Sequence, residues 1–243
     1  CFAFVPAATA QTSLAKVIDE VQPKMVKLYG AGGLQGLEAY QRGVFDQSLA
    51  VSKQAAQMYE QQHKPLEQSR ALVLAAQASE AIGQLKQALQ QLELAFGLAQ
   101  QSQDKLWTAT ILSSLGHAYL TGRQPDAAVS HLKQALETAP QDATSVIAGI
   151  HNNLGLAHVA RKNFADALAS FTEAANMAAQ AADRPLAVRA RINAGRTALA
   201  LDQAQAARDW FDKALDELKD FPQSHEKATG LLVRLVLVDQ HAA

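Results

Sequence analysis

The chain has 243 residues, about half of them hydrophobic, and a formal net charge of −1. That suits one or two compact domains or one elongated array, and it excludes intrinsic disorder. Ala makes up about a fifth of the residues, Gln is abundant and aromatics are 6%, so helix is favoured and an all-β fold disfavoured. With 22 Lys and Arg against 23 Asp and Glu, the chain has neither a nucleic-acid binder's basic excess nor an acidic tail.

The N-terminal segment, residues 1–34, reads as an export or anchor sequence followed by a linker. The chain begins without Met, as a processed or truncated product would. Ala8 and Ala10 before Gln11 suit the end of a secretory signal; alternatively, Cys1 is the acylated first residue of a lipoprotein. Both readings place the protein outside the cytoplasm: periplasmic, outer-membrane-anchored or extracellular. A plain gene boundary and a cytoplasmic location stay open. Membrane contact is expected only through a lipid on Cys1, because no run of about 18 apolar residues exists. Cys1 is the single cysteine, which excludes an internal disulfide and a cysteine-based zinc site. A short helix is predicted over 12–21, stopped near Pro23, with an extended stretch at 25–29 and a glycine-rich loop or frayed helix start over 30–36.

From residue 35 to 222 the chain repeats itself. Gly43, Gly83, Arg123, Lys162 and Asp202 stand at equivalent turns about forty residues apart. Seven residues before each turn stand Gly36, Ala76, Gly116, Gly155 and Gly195. Five after it stand Ser48, Ala88, Ala128, Ala167 and Ala207, and twelve after it Ala55, Ala95, Ala135, Ala174 and Ala214. Nine after it stand Ser52, Leu92, Leu132, Phe171 and Phe211. Small residues at fixed places let two helices approach closely, and the large column fills the space between them. The predicted pairs are 35–42 with 45–62, 66–82 with 85–102, 104–121 with 125–138, 142–161 with 164–181, and 184–201 with 204–219. Pro65, Pro125, Pro140 and Pro185 fall at starts or connections, where proline is tolerated. Each pair exposes an apolar face that only the next pair covers, which is the logic of a solenoid.

Leu115, Gly116, Tyr119, Ala128, Ala135 and Pro140, followed by Leu154, Gly155, Phe164, Ala167, Phe171 and Ala174, resemble tetratricopeptide (TPR) repeats. The long period is similar to that of kinesin light chains and bacterial scaffold proteins. The resemblance implies an all-α, right-handed superhelical solenoid of antiparallel helix pairs that acts as a non-catalytic scaffold. Residues 223–243 add a C-terminal apolar helix, predicted from Ser224 to Asp239: a cap, the start of a further repeat or an interface.

Catalytic and cofactor patterns are weak. Residues 30–36 fail the dinucleotide pattern G-x-G-x-x-G, and the P-loop motif is absent. Residues 21–33 with Gly36 and Tyr40 are similar to the opening strand of trypsin-like, HtrA-type serine proteases, but no G-x-S-G-G follows and no triad is implied. H-E-x-x-H is absent. His151 and His158 stand in packing columns and are expected at helix interfaces. No enzyme activity, metal or cofactor is expected.

The TPR resemblance implies that the first helices of the pairs line a concave groove for a protein or peptide partner. The groove residues singled out are Arg70, Gln77, His117, Asn152, Asn153, Arg189, Asn193 and Arg196. Asn153 and Asn193 occupy the position where long-repeat relatives grip a peptide backbone, since an amide both donates and accepts. Arg189 and Arg196, seven apart, suit a carboxylate. A second function class is a self-assembling subunit, stacked end to end through Leu231, Leu232, Leu235 and Val238, in a segment apolar nearly all round its helix. A third is the regulatory module of a larger protease-like protein. A partner protein, a homo-oligomer or a polymer all remain open at this level, and nucleic acid is not expected.

Overall fold

A computed structural model describes residues 35–218. Every regular element among them is an α-helix: α1 (35–41), α2 (Phe45–Gln61), α3 (Pro65–Ala81), α4 (Leu85–Gln101), α5 (Lys105–Thr121), α6 (Pro125–Thr138), α7 (Thr144–Ala160), α8 (Phe164–Gln180), α9 (Arg184–Ala200) and α10 (Ala204–Glu217). The expected class, all-α with helices in antiparallel pairs, is the one found, and the boundaries agree to within about two residues. The segment 1–34 with Cys1, and the C-terminal helix with Leu231, Leu232, Leu235 and Val238, lie outside the described residues.

The chain divides into two compact units, residues 1–102 and 103–243. In the first, α3 packs on both α2 and α4. In the second, each of α5 to α9 packs on the helix that follows it, and α7 also touches α5 and α9.

Helices end where the sequence repeat places its turns. Gly43, Gly83, Arg123, Lys162 and Asp202 all have positive φ, between 57° and 79°. In the first turn, Gly43 N–H donates to Tyr40 O at 2.9 Å and Val44 N–H reaches back to Ala39 O at 2.9 Å. The same two bonds recur at the other four turns. This Schellman geometry satisfies carbonyls that a helix end otherwise leaves open. It requires one left-handed residue, which three of the five turns supply without glycine.

The small-residue columns meet the large column. Gly116, Gly155 and Gly195 lie so close to Leu132, Phe171 and Phe211 that an added Cβ would stand 2.5, 2.5 and 2.6 Å from those side chains. The columns of Ala88, Ala128, Ala167 and Ala207, and of Ala95, Ala135, Ala174 and Ala214, are fully buried. The first pair departs from this chemistry. Ser52 stands where the others have Leu or Phe, and Ser48 Oγ donates to the Gly36 carbonyl at 2.7 Å. Of the two readings of the glycine-rich stretch, loop or helix start, Gly36 follows the second: it is a buried residue of α1. Tyr40, which the protease likeness put in a strand, is helical too and sits edge-on to Phe45.

One turn breaks the pattern. α6 stops three residues short of the usual seventeen, at Thr138. Pro140 has no N–H and its ring would clash with the preceding helical turn, which forces Ala139 into an extended conformation (φ −62°, ψ 133°). The connection to α7 is longer in compensation, and the net loss of one residue is the single 39-residue step in the repeat.

Candidate functional site

In the second unit, the first helices α5, α7 and α9 share a register set by Gly116, Gly155 and Gly195. Six residues before these glycines stand Thr110, Gly149 and Arg189; two before, Ser114, Asn153 and Asn193; one after, His117, Leu156 and Arg196. Spacings of four and seven place each helix's three residues on one face. His117, Arg189 and Arg196 are exposed, and Asn153 and Asn193 are half-buried.

The asparagines are not idle at this surface. Asn153 Nδ2 donates to Ser113 Oγ on α5 at 3.1 Å. Asn193 Nδ2 donates to Asn152 Oδ1 on α7 at 3.1 Å. Each amide thus ties its helix to the first helix of the preceding pair. Their carbonyl oxygens have no partner among the described residues. Asn152, expected in the groove, is only 4% exposed. It lies on the rim of the core as an acceptor for Asn193, because its neighbour Asn153 takes the outward position. Val73 of α3 and Ile192 of α9 are likewise buried.

Beside Asn193 and Arg196 lies a cleft of about 280 Å³. Leu156 and Val159 of α7 and Phe164 and Phe171 of α8 give it apolar walls, and α9 supplies its polar edge. Val159 is 37% exposed. Farther along the face, Gly149 leaves open space, since an added Cβ there meets nothing within 4 Å. Phe164 was legible only as the aromatic that follows a turn; its place in the cleft wall depends on how α8 packs under α7.

In the first unit, Gln77 is exposed on α3 and Arg70 is half-buried there. The two are seven residues apart on one helical face. Here the first helix carries both charges, Glu67 and Glu80 as well as Arg70.

The histidines at helix interfaces are half-buried, as their columns implied. Burial holds the imidazoles of His151 and His158 below their ordinary pKa. Glu173 opposes the effect at His151 and Asp166 at His158. Neutral imidazole is thus favoured at both places. No group of three His, Cys, Asp or Glu among the described residues is arranged to hold a metal ion. No helix among them is long and apolar enough to cross a membrane.

The tetratricopeptide repeat family model matches residues 67–141 and 146–219, more than half of the chain. The chain belongs to the tetratricopeptide repeat family. Solved structures share the fold. A Rap protein complexed with Competence and Sporulation Factor superposes with a TM-score of 0.76 at 16% identity, covering 86% of this chain and 59% of that one. BtubC (BKLC) from P. vanneervenii superposes at 0.67 and 19% identity, covering 90% and 91%. A putative kinesin light chain of Podosopora anserina with nearly identical TPR-like repeats superposes at 0.62 and 15% identity, covering 83% and 98%. This chain therefore spans less than two thirds of the Rap chain and most of the other two. No curated protein sequence matches it. The TPR repeats bring Asn153, Asn193, Arg189, Arg196 and His117 onto one face of the second unit, while Asn152 supports that face from beneath.

Proposed function

We propose that the protein is a non-catalytic interaction module that binds an extended segment of a partner protein on the face of α5, α7 and α9. The carrying observation is the row of half-buried amides, Asn153 and Asn193. Each has its N–H₂ anchored internally and its side-chain carbonyl oxygen without a partner among the described residues, and Asn193 lines an apolar cleft. An extended backbone presents an N–H to such an acceptor at every second residue on a side, whatever its side chains. The cleft has room for one apolar side chain. Family membership supports the reading, and so does the Rap relative solved with its factor.

The test uses Gly149→Leu. The Cβ of the new side chain enters open space on that face, and a circular dichroism melt verifies that the variant stays folded. Proteins retained from the native extract by the wild-type chain and lost by Gly149→Leu support the reading. Identical retention by both chains overturns it.

A further inference from the structure

Charge is distributed unevenly between the two helix layers of the second unit. The first helices α5, α7 and α9 contain no Asp or Glu, and carry Lys105, Arg184, Arg189, Arg191 and Arg196. The second helices α6, α8 and α10 carry eight acidic residues against Lys133, Arg208 and Lys213. Net charge near zero for the whole chain conceals this separation. Arg191 is taken up by an ion pair with Glu217 of α10. Arg189 and Arg196 instead stand exposed, seven residues apart, on either side of Asn193. No carboxylate from α5, α7 or α9 faces them. In the first unit the corresponding α3 carries Glu67 and Glu80 beside Arg70, so the acid-free face belongs to the second unit.

We propose that the ligand of this face is an acidic extended peptide with an apolar side chain next to its carboxylates. This rests on the groove reading above and specifies the partner's chemistry. Arg189 and Arg196 bracket two turns of α9, about 10 Å along the helix. That distance equals about three residues of extended chain. A carboxylate at each end therefore meets a guanidinium, and the residues between pass Asn193. The apolar side chain enters the cleft walled by Leu156, Val159 and Phe164, whose edge is Arg196 itself. Gly149 leaves the backbone room to approach α7. Nucleic acid fits less well. Two exposed arginines and one histidine offer far fewer phosphate contacts than duplex or single-strand binders use, and of the cleft's two rings Phe171 is buried and Phe164 half-buried, so neither is a fully exposed platform for base stacking.

The test is selection from a random dodecapeptide phage library on the full wild-type chain, with depletion on Gly149→Leu. Expected are groove-dependent sequences in which Asp and Glu outnumber Lys and Arg, with Leu, Ile, Val, Met or Phe beside an acidic residue. A synthetic peptide from that pool should bind by fluorescence anisotropy, weaken with salt, and lose about tenfold in affinity in Arg196→Gln or Arg189→Gln. It should be unaffected by Lys213→Gln on α10 and not displaced by an oligothymidylate of equal length. Groove-dependent sequences that are neutral or basic, or affinities indifferent to both arginines, overturn the acidic specificity and leave the groove reading standing. Failure to recover any sequence that Gly149→Leu loses overturns both. Displacement by the oligothymidylate at equal affinity, or by a second copy of the chain, replaces the peptide with that ligand.

Discussion

At the scale of single residues, two kinds of position carry the fold. The first is the turn residue with positive φ. Arg123, Lys162 and Asp202 hold left-handed conformations at 57°, 61° and 58°. A Cβ there is strained by about 1 kcal/mol, which glycine relieves at some cost in unfolded-chain entropy. Arg123→Gly and Lys162→Gly should therefore raise the urea midpoint modestly. Asp202→Gly should gain least, since Asp tolerates this region better. Gly83→Ala is the mirror experiment and should lower the midpoint, with a loss of stability of about 1 kcal/mol. The second kind is the glycine beneath a large side chain. Gly155 faces the Phe171 ring so closely that Gly155→Ala should cost about 1–3 kcal/mol despite alanine's better helix propensity. Combining it with Phe171→Leu should recover part of the loss, because the smaller side chain vacates the space. At Gly149, with nothing near, the same change to alanine should stabilise by about 0.5–1 kcal/mol. Thermal melts of the two alanine variants, moving in opposite directions, will check the assignment of packed and open glycines.

At the scale of the helix, initiation is handled mostly without side chains. Of the nine helices α2 to α10, only α5 and α9 have an N-cap side chain accepting from the first turn. Asp104 accepts from Trp107 N–H at 2.9 Å and Asp183 from Leu186 N–H at 3.2 Å. Both residues also oppose the positive end of the helix dipole. Asp183 further receives Ser145 Oγ from α7 at 2.7 Å. Asp104→Ala should cost about 1 kcal/mol, the usual loss of a cap. Asp183→Ala should cost somewhat more because the link to α7 goes as well. Chemical denaturation of the two variants measures both, and Asp104→Asn, which keeps the acceptor, should restore most of the loss. The helices without such caps rely on packing, which fits the fully buried alanines at their helix contacts, such as Ala88, Ala128 and Ala167.

At the scale of the molecule, the face proposed for binding is also a structural seam of the second unit. The sequence alone suggests that Asn153 and Asn193 are surface residues whose loss affects binding only. Their hydrogen bonds change that expectation. Asn193→Ala removes the donor to Asn152 Oδ1, which is 4% exposed, so a buried acceptor is left open. That should cost about 1–3 kcal/mol. Asn153→Ala removes a donor to the half-buried Ser113, which water can replace, and should cost under about 1 kcal/mol. Both variants should weaken partner binding, Asn153→Ala without appreciable unfolding. Equal stability losses from the two changes would contradict the buried acceptor at Asn152.

The sequence by itself determined the helical class, the forty-residue period, the helix ends and the identity of every packing column. These are local or periodic properties. A turn must recur where the pattern recurs, and a glycine at the helix crossing is required by the ring or branched chain opposite it. The family resemblance and the candidate arginines were legible for the same reason. Tertiary structure alone decided which of two adjacent asparagines faces outward. Asn152 and Asn153 differ by 100° of helix rotation, and only the placement of α9 against α7 turns the first into a buried acceptor. It likewise decided that Leu156, Phe164 and Arg196 share one cleft, since these come from three helices and no spacing along the chain relates them. The charge separation needed both levels. The acid-free helices are written in the sequence, but the pairing of Arg191 with Glu217, which leaves Arg189 and Arg196 exposed, arises only when α10 packs against α9.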